Sequence, residues 1–115
     1  MSFAFNTIQT EPIAIISLYG ELIDRNEAQQ LLNQLNLLSE GGIKNFILEL
    51  SELKYMNSTG LNVLINVLTK ARKNGGELVI CGISKKVNEL LLITKLNSVF
   101  TVSESTDEAI LKFNS

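Results

Sequence analysis

The chain contains no histidine, which removes at once the commonest general base and the commonest metal ligand. It has a single cysteine, Cys81, so no internal disulfide can form. Cys81 lies in the apolar stretch Leu78-Val79-Ile80-Cys81, where it reads as a small buried side chain. No segment approaches the roughly 20 uninterrupted apolar residues that a membrane-spanning helix requires, so no membrane insertion is expected. Ten basic residues against twelve acidic ones leave a net charge of -2, and no basic block stands ready to neutralise a row of phosphates; direct nucleic-acid binding is not expected. The start, Met1-Ser2-Phe3-Ala4-Phe5-Asn6, has neither a basic segment nor a long apolar one, so no secretory signal is expected and the cytoplasm is the expected compartment. Internal repeats and low-complexity tracts are missing as well.

What is present suits one compact domain spanning residues 1–115, with 45% apolar residues. Two extended stretches, Phe3 to Gln9 and Pro12 to Tyr19, flank Thr10-Glu11 and predict an antiparallel hairpin. Asp24 stands three residues before Glu27, the spacing of a reciprocal cap, and Ala28, Leu31, Leu32, Leu35 and Leu38 then mark one face of a helix closed by Gly41-Gly42. Phe46-Ile47-Leu48-Glu49-Leu50 is apolar at nearly every position, as in a strand covered on both faces near the centre of a sheet. Leu61, Leu64, Ile65, Leu68 and Ala71 return at helical spacing, with Asn62, Asn66, Lys70 and Lys73 on the wet side and Gly75-Gly76 as the stop. Leu78 to Cys81 predicts another buried strand and Ser84 caps a helix carrying Val87, Leu90, Leu91 and Thr94. Val99 to Val102 predicts a short fifth strand. Ser105 and Glu108 open a closing helix. A hairpin followed by alternating helices and strands gives the α/β class: a mixed sheet with parallel crossovers, flanked by helices.

The chemistry this set of residues supports is limited. Ser58, ahead of a helix, sits in Asn57-Ser58-Thr59-Gly60-Leu61 and not in Gly-x-Ser-x-Gly, and no histidine is available to deprotonate it. Each glycine pair follows a helix, whereas phosphate-cradling loops precede one. Glu49 and Glu52 near one strand end read as ordinary surface charges before they read as a catalytic pair. No catalytic residue, metal site or cofactor is therefore expected. From helix physics alone, Asn57 or Ser58 is an N-cap. A phosphate on Ser58 would lie near the partly positive helix N-terminus and would leave the fold intact.

Three segments carry a resemblance: Gly20-Glu21-Leu22; the run Leu50-Ser51-Glu52-Leu53-Lys54-Tyr55-Met56-Asn57-Ser58-Thr59-Gly60-Leu61; and Gly75-Gly76-Glu77-Leu78. Together they resemble the STAS domain, the sulphate-transporter and anti-sigma-factor-antagonist domain, in particular its free-standing anti-anti-sigma factors, from the first hairpin to the last helix. The resemblance implies a non-catalytic domain that binds an anti-sigma factor which is also an ATP-dependent serine kinase, and so frees a sigma factor. Phosphorylation by that kinase ends the interaction, and a metal-dependent serine phosphatase restores it. The family's acceptor, a Ser or Thr directly after an acidic residue, maps onto Ser58, with Thr59 as the second hydroxyl. Two departures stand out. Asn57 occupies the usual Asp position, which keeps the cap but drops the charge that bears on kinase recognition. The family's Gly-Glu-Leu-Asp reads Gly20-Glu21-Leu22-Ile23-Asp24 here, leaving Asp24 as either a helix cap or a partner contact.

The expected partner surface therefore comprises Tyr55, Met56, Asn57, Ser58, Thr59, Gly60 and Asn62, with Asp24 beside it. Leu90-Leu91-Leu92-Ile93 cannot all face inward on one helix, so part of that stretch is either exposed for binding or covered by its neighbours. The alternative within the same family is a STAS subunit seated on the ATPase of a lipid-handling transporter, with Ser58 or Thr59 as a contact.

Overall fold

The computed structural model describes residues 3–10 and 12–114; the Met1-Ser2 start and the Glu11 half of the hairpin connection lie outside the described residues. Strand β1 (Phe3–Thr10) pairs antiparallel with β2 (Ile13–Leu22), in the register Ile8 opposite Ile15 and Phe5 opposite Leu18. Helix α1 (Arg25–Glu40), strand β3 (Asn45–Met56), helix α2 (Ser58–Lys73), strand β4 (Leu78–Cys81), helix α3 (Lys85–Ile93), strand β5 (Thr101–Ser103) and helix α4 (Thr106–Asn114) follow. The sheet runs β1-β2-β3-β4-β5, each strand beside its predecessor, with every pairing after the hairpin parallel. This is the mixed α/β sheet that the alternation of elements requires, with β3 at its centre.

The two faces of the sheet carry separate cores. On the first, Ala14, Ile16 and Leu18 of β2 and Leu48 and Leu50 of β3 pack against Leu31 and Leu35 of α1, Leu64 and Leu68 of α2 and Leu91 of α3. On the second, Ile13, Ile15, Ile47, Val79 and Cys81 form a smaller core closed by Ala109, with Ile110 and Phe113 of α4 packed against it. Burying an aliphatic side chain stabilises by about 2 kcal/mol, so the fully buried β4 and the buried Phe46–Leu48 segment of β3 dominate the sheet. Ser103, on the second face, is 6% exposed and its hydroxyl is the buried side-chain polar atom without a hydrogen-bond partner among the described residues.

Helices α1, α2 and α3 end alike. In each, the last turn closes with paired bonds from two successive amides to carbonyls three and five residues back: Gly42 to Ser39 with Ile43 to Leu38, Gly75 to Arg72 with Gly76 to Ala71, and Lys95 to Leu92 with Leu96 to Leu91. The residue after the cap is left-handed in all three, Gly42 at φ 102°, Gly75 at φ 85° and Lys95 at φ 62°.

Three details differ from the sequence reading. Strand β3 does not stop at Leu50 but continues to Met56, because β2 follows it there through two register shifts, after Ser17 and after Gly20, that keep Leu53 and Met56 facing the core. The fifth strand begins at Thr101, two residues later than Val99. The Glu27 carboxylate reaches to β1, where Oε2 accepts from the Phe3 amide at 3.2 Å.

Candidate functional site

The length of β3 places the candidate residues. Because β2 and β3 stay paired as far as Leu22 and Met56, the starts of α1 and α2 lie at the same end of the sheet, the C-terminal end of these parallel strands. Gly60, in the first turn of α2, is buried against that end. A Cβ there would collide with the Leu22 carbonyl and lie 2.7 Å from the Met56 Cβ, so only glycine lets the helix start this close to β2.

Asn57 is the cap. Its extended backbone, φ -108° and ψ -164°, turns Oδ1 to accept from the Gly60 amide at 3.2 Å, while its carbonyl accepts from Leu61 at 2.9 Å. Ser58 is therefore the first helical residue and not the cap: it is exposed, and its hydroxyl makes no hydrogen bond among the described residues. Sequence alone left the cap shared between these two residues; the structure gives capping to one and leaves the other free.

Two grooves flank the α2 start. One, of about 360 Å³, runs between α2 and α3 and is lined by Tyr55, Asn57, Ser58, Lys86, Leu90 and Ile93, among others. The other, of about 270 Å³, lies between α1 and α2 and holds Thr59, Asn62 and Asn66 opposite Arg25 and Gln29. The adjacent hydroxyls of Ser58 and Thr59 thus belong to different grooves. Sequence reasoning missed Lys86 and Arg25, since nothing in the local pattern of α1 or α3 ties them to the α2 start; only the crossovers bring them together.

The remaining expected site residues divide. Tyr55, 45% exposed, and Asn62 are on the surface. Met56 is not: at 2% exposure its side chain belongs to the first core, because alternation along β3 turns it inward as it turns Tyr55 out. Met56, expected as a partner contact, thus packs into the core while still lining the floor of the Ser58 groove, and Gly60 acts through its missing side chain. Asp24 caps α1, its Oδ1 accepting from Asn26 at 2.7 Å and from Glu27 at 3.3 Å, and it lines neither groove.

Of the Leu90–Ile93 stretch, Leu91 is fully buried and Leu90 half-buried, whereas Leu92 and Ile93 are 51% and 78% exposed. Ile93 and Tyr55 give the Ser58 groove an apolar rim with Lys86 and Glu89 beside it. Glu49 and Glu52 are engaged elsewhere: Glu49 Oε1 accepts from the Ser51 amide and hydroxyl at 3.2 and 2.8 Å, and Glu52 meets Lys54 at 4.0 Å on the surface. Among the described residues, no cluster of acids and Cys81 could hold a metal ion and no helix is long and apolar enough to cross a membrane.

The α2 start thus presents an exposed hydroxyl between two grooves. Comparison with known proteins gives the family. The STAS domain profile matches residues 4–109. BtrV of Bordetella bronchiseptica is 30% identical over 99 residues, which span 86% of this chain and 85% of BtrV. The anti-sigma-B factor antagonist of Staphylococcus aureus is 28% identical over 107 residues, 93% of this chain and 98% of that protein. The phosphorylated form of the Bacillus cell fate determinant SpoIIAA shares the fold, with a TM-score of 0.76 at 19% identity over 96% of this chain and 99% of SpoIIAA.

Proposed function

The chain belongs to the STAS domain family, and from that premise we propose that it is an anti-sigma factor antagonist whose docking to an anti-sigma factor is controlled by phosphate on Ser58. Antagonists of this family are regulatory proteins without catalysis of their own. In this reading the partner is both anti-sigma factor and serine kinase, and it covers the α2 start, the Tyr55–Ile93 rim and the exposed Asn62. A metal-dependent serine phosphatase resets the modified form.

The observation that carries the reading is the separation of roles at the α2 start. Asn57 holds the cap, so the Ser58 hydroxyl can accept a phosphate without any backbone amide losing its partner. The phosphate adds about -1.5 to -2 charges, and covering these with a partner that supplies no matching cation is costly. A loss of about 3 kcal/mol already weakens binding on the order of a hundredfold. The existence of a phosphorylated form of SpoIIAA, a protein of the same fold, supports the same assignment.

The test incubates the chain with ATP and the anti-sigma-type kinases of its own genome and locates phosphate by mass spectrometry. Phosphate is expected on Ser58 and lost in Ser58→Ala, with Ser58→Asp binding the partner on the order of a hundredfold more weakly. Absence of modification at Ser58 and Thr59 by every such kinase, together with unchanged affinity of Ser58→Asp, rejects the reading.

A further inference from the structure

The two edges of the sheet are unlike. Strand β5 offers three residues and is followed at once by Glu104. Strand β1 offers eight, Phe-Ala-Phe-Asn-Thr-Ile-Gln-Thr, without a charge or a proline. Edge strands of this length normally carry lysines, prolines or bulges that stop another strand from adding on. Strand β1 carries none, and its pairing with β2 runs unbroken from Phe3 to Thr10.

One hydrogen bond fixes which groups this edge presents. In an antiparallel pair, alternate residues give both their N–H and C=O to the neighbour and the rest turn both away. The Phe3 amide donates to Glu27 and not to β2, so Phe3, Phe5, Thr7 and Gln9 are the outward set. Glu27 covers the first of these; beside Phe5, Thr7 and Gln9 no strand lies among the described residues.

We infer that this edge pairs antiparallel with β1 of a second copy, Thr7 opposite Thr7 on a two-fold axis, so that two five-stranded sheets become one. In that register Phe5 faces Gln9 and Asn6 faces Ile8, and the outward groups of the two strands exchange about six main-chain hydrogen bonds. The neutrality of β1 favours a copy of itself, because self-pairing on a two-fold sets identical residues near one another and any charge would repel its twin. The opposed threonines make a favourable cross-strand pair. Ile8, 51% exposed, meets the second Ile8 on the diagonal and loses apolar surface to it. Three-residue β5 is too short to offer an equivalent edge, so the assembly closes at two copies and does not grow into a fibre. Strand β1 lies beyond β2, away from the α2–α3 groove, and each copy keeps its Ser58 surface open. A single strand edge buries less than the roughly 800 Å² per partner of a standard stable interface, so the dimer forms weakly, with a Kd on the order of 100 µM.

Sedimentation velocity on the full chain from about 10 µM to about 1 mM tests this, the range bracketing a weak Kd. A reversible monomer–dimer equilibrium is expected, weakened at least ~10-fold by Thr7→Lys, which sets two ammonium groups face to face. Circular dichroism of that variant checks its fold, and an equimolar mixture of Thr7→Lys and Thr7→Glu should recover association as a heterodimer even where each alone is monomeric. A wild-type chain monomeric throughout the range overturns the inference, even if it binds a foreign strand peptide at the edge. A dimer unmoved by Thr7→Lys, or a mixture that fails to associate, overturns it too.

Discussion

At the scale of single residues, the division between Asn57 and Ser58 has measurable consequences. Asn57→Ala removes the acceptor for the Gly60 amide and should cost about 1 kcal/mol in urea unfolding. Asn57→Asp keeps the cap and adds favourable charge at the helix start, a gain of about 0.5 kcal/mol. If that carboxylate also serves kinase recognition, the same variant should be phosphorylated faster, which a time course with the cognate kinase reads directly. Cys81 tests the second core. Burial raises its thiol above the ordinary 9.0, opposed by a contact with the Thr106 hydroxyl at 3.8 Å and reinforced by the nearby Glu49 carboxylate. The folded value lies above the unfolded one, so the unfolded chain ionises first. The stability contributed is full below pH 9.0 and is lost as pH rises from there through the folded value. Alkylation of Cys81 near pH 8 should accordingly proceed at the rate of chain opening and accelerate sharply in denaturant.

At the scale of elements, the order and type of every strand and helix were legible, because pattern and punctuation agree: two extended stretches around a short gap in the hairpin, helical spacing after Asp24, Asn57 and Ser84, and glycines behind two helices. What could not be read was where β3 ends. Ser51 to Met56 looks polar, and only the register shifts in the β2–β3 pairing, each an extra residue on β3, show that Leu53 and Met56 still face inward, a tertiary property. The inward turn of Met56 was hidden with it, and the arrival of Lys86 and Arg25 beside Ser58 and Thr59 depends on crossovers and not on local pattern. Helix α3 yields two predictions. Lys95 occupies the left-handed position that Gly42 and Gly75 fill after α1 and α2, so Lys95→Gly should raise stability by about 1 kcal/mol in chemical denaturation. Ile93, 78% exposed, contributes little to folding; Ile93→Glu should leave the melting temperature nearly unchanged while weakening partner binding at least ~10-fold by calorimetry.

At the scale of the whole molecule, both cores lie away from the Ser58 hydroxyl. Under the proposed phosphate control, this site works by charge and occlusion at the surface, without refolding. Ser58→Asp should keep the wild-type far-UV spectrum and gain up to ~1 kcal/mol of stability from the helix dipole, even as partner affinity falls. A melting temperature lowered by more than about 5 °C, equivalent to roughly 1 kcal/mol in a domain of this size, would show instead that the site is structural.

The sheet in which each strand lies beside its predecessor also sets an order of assembly. During synthesis the hairpin can fold first, and each later helix and strand docks on a surface already made, so few pairings wait for distant chain. The second face is the exception. Ile47, Val79 and Cys81 stay wet until α4, last of the described elements, leaves the ribosome, and a nascent chain stalled before Thr106 would present that apolar strip to chaperones.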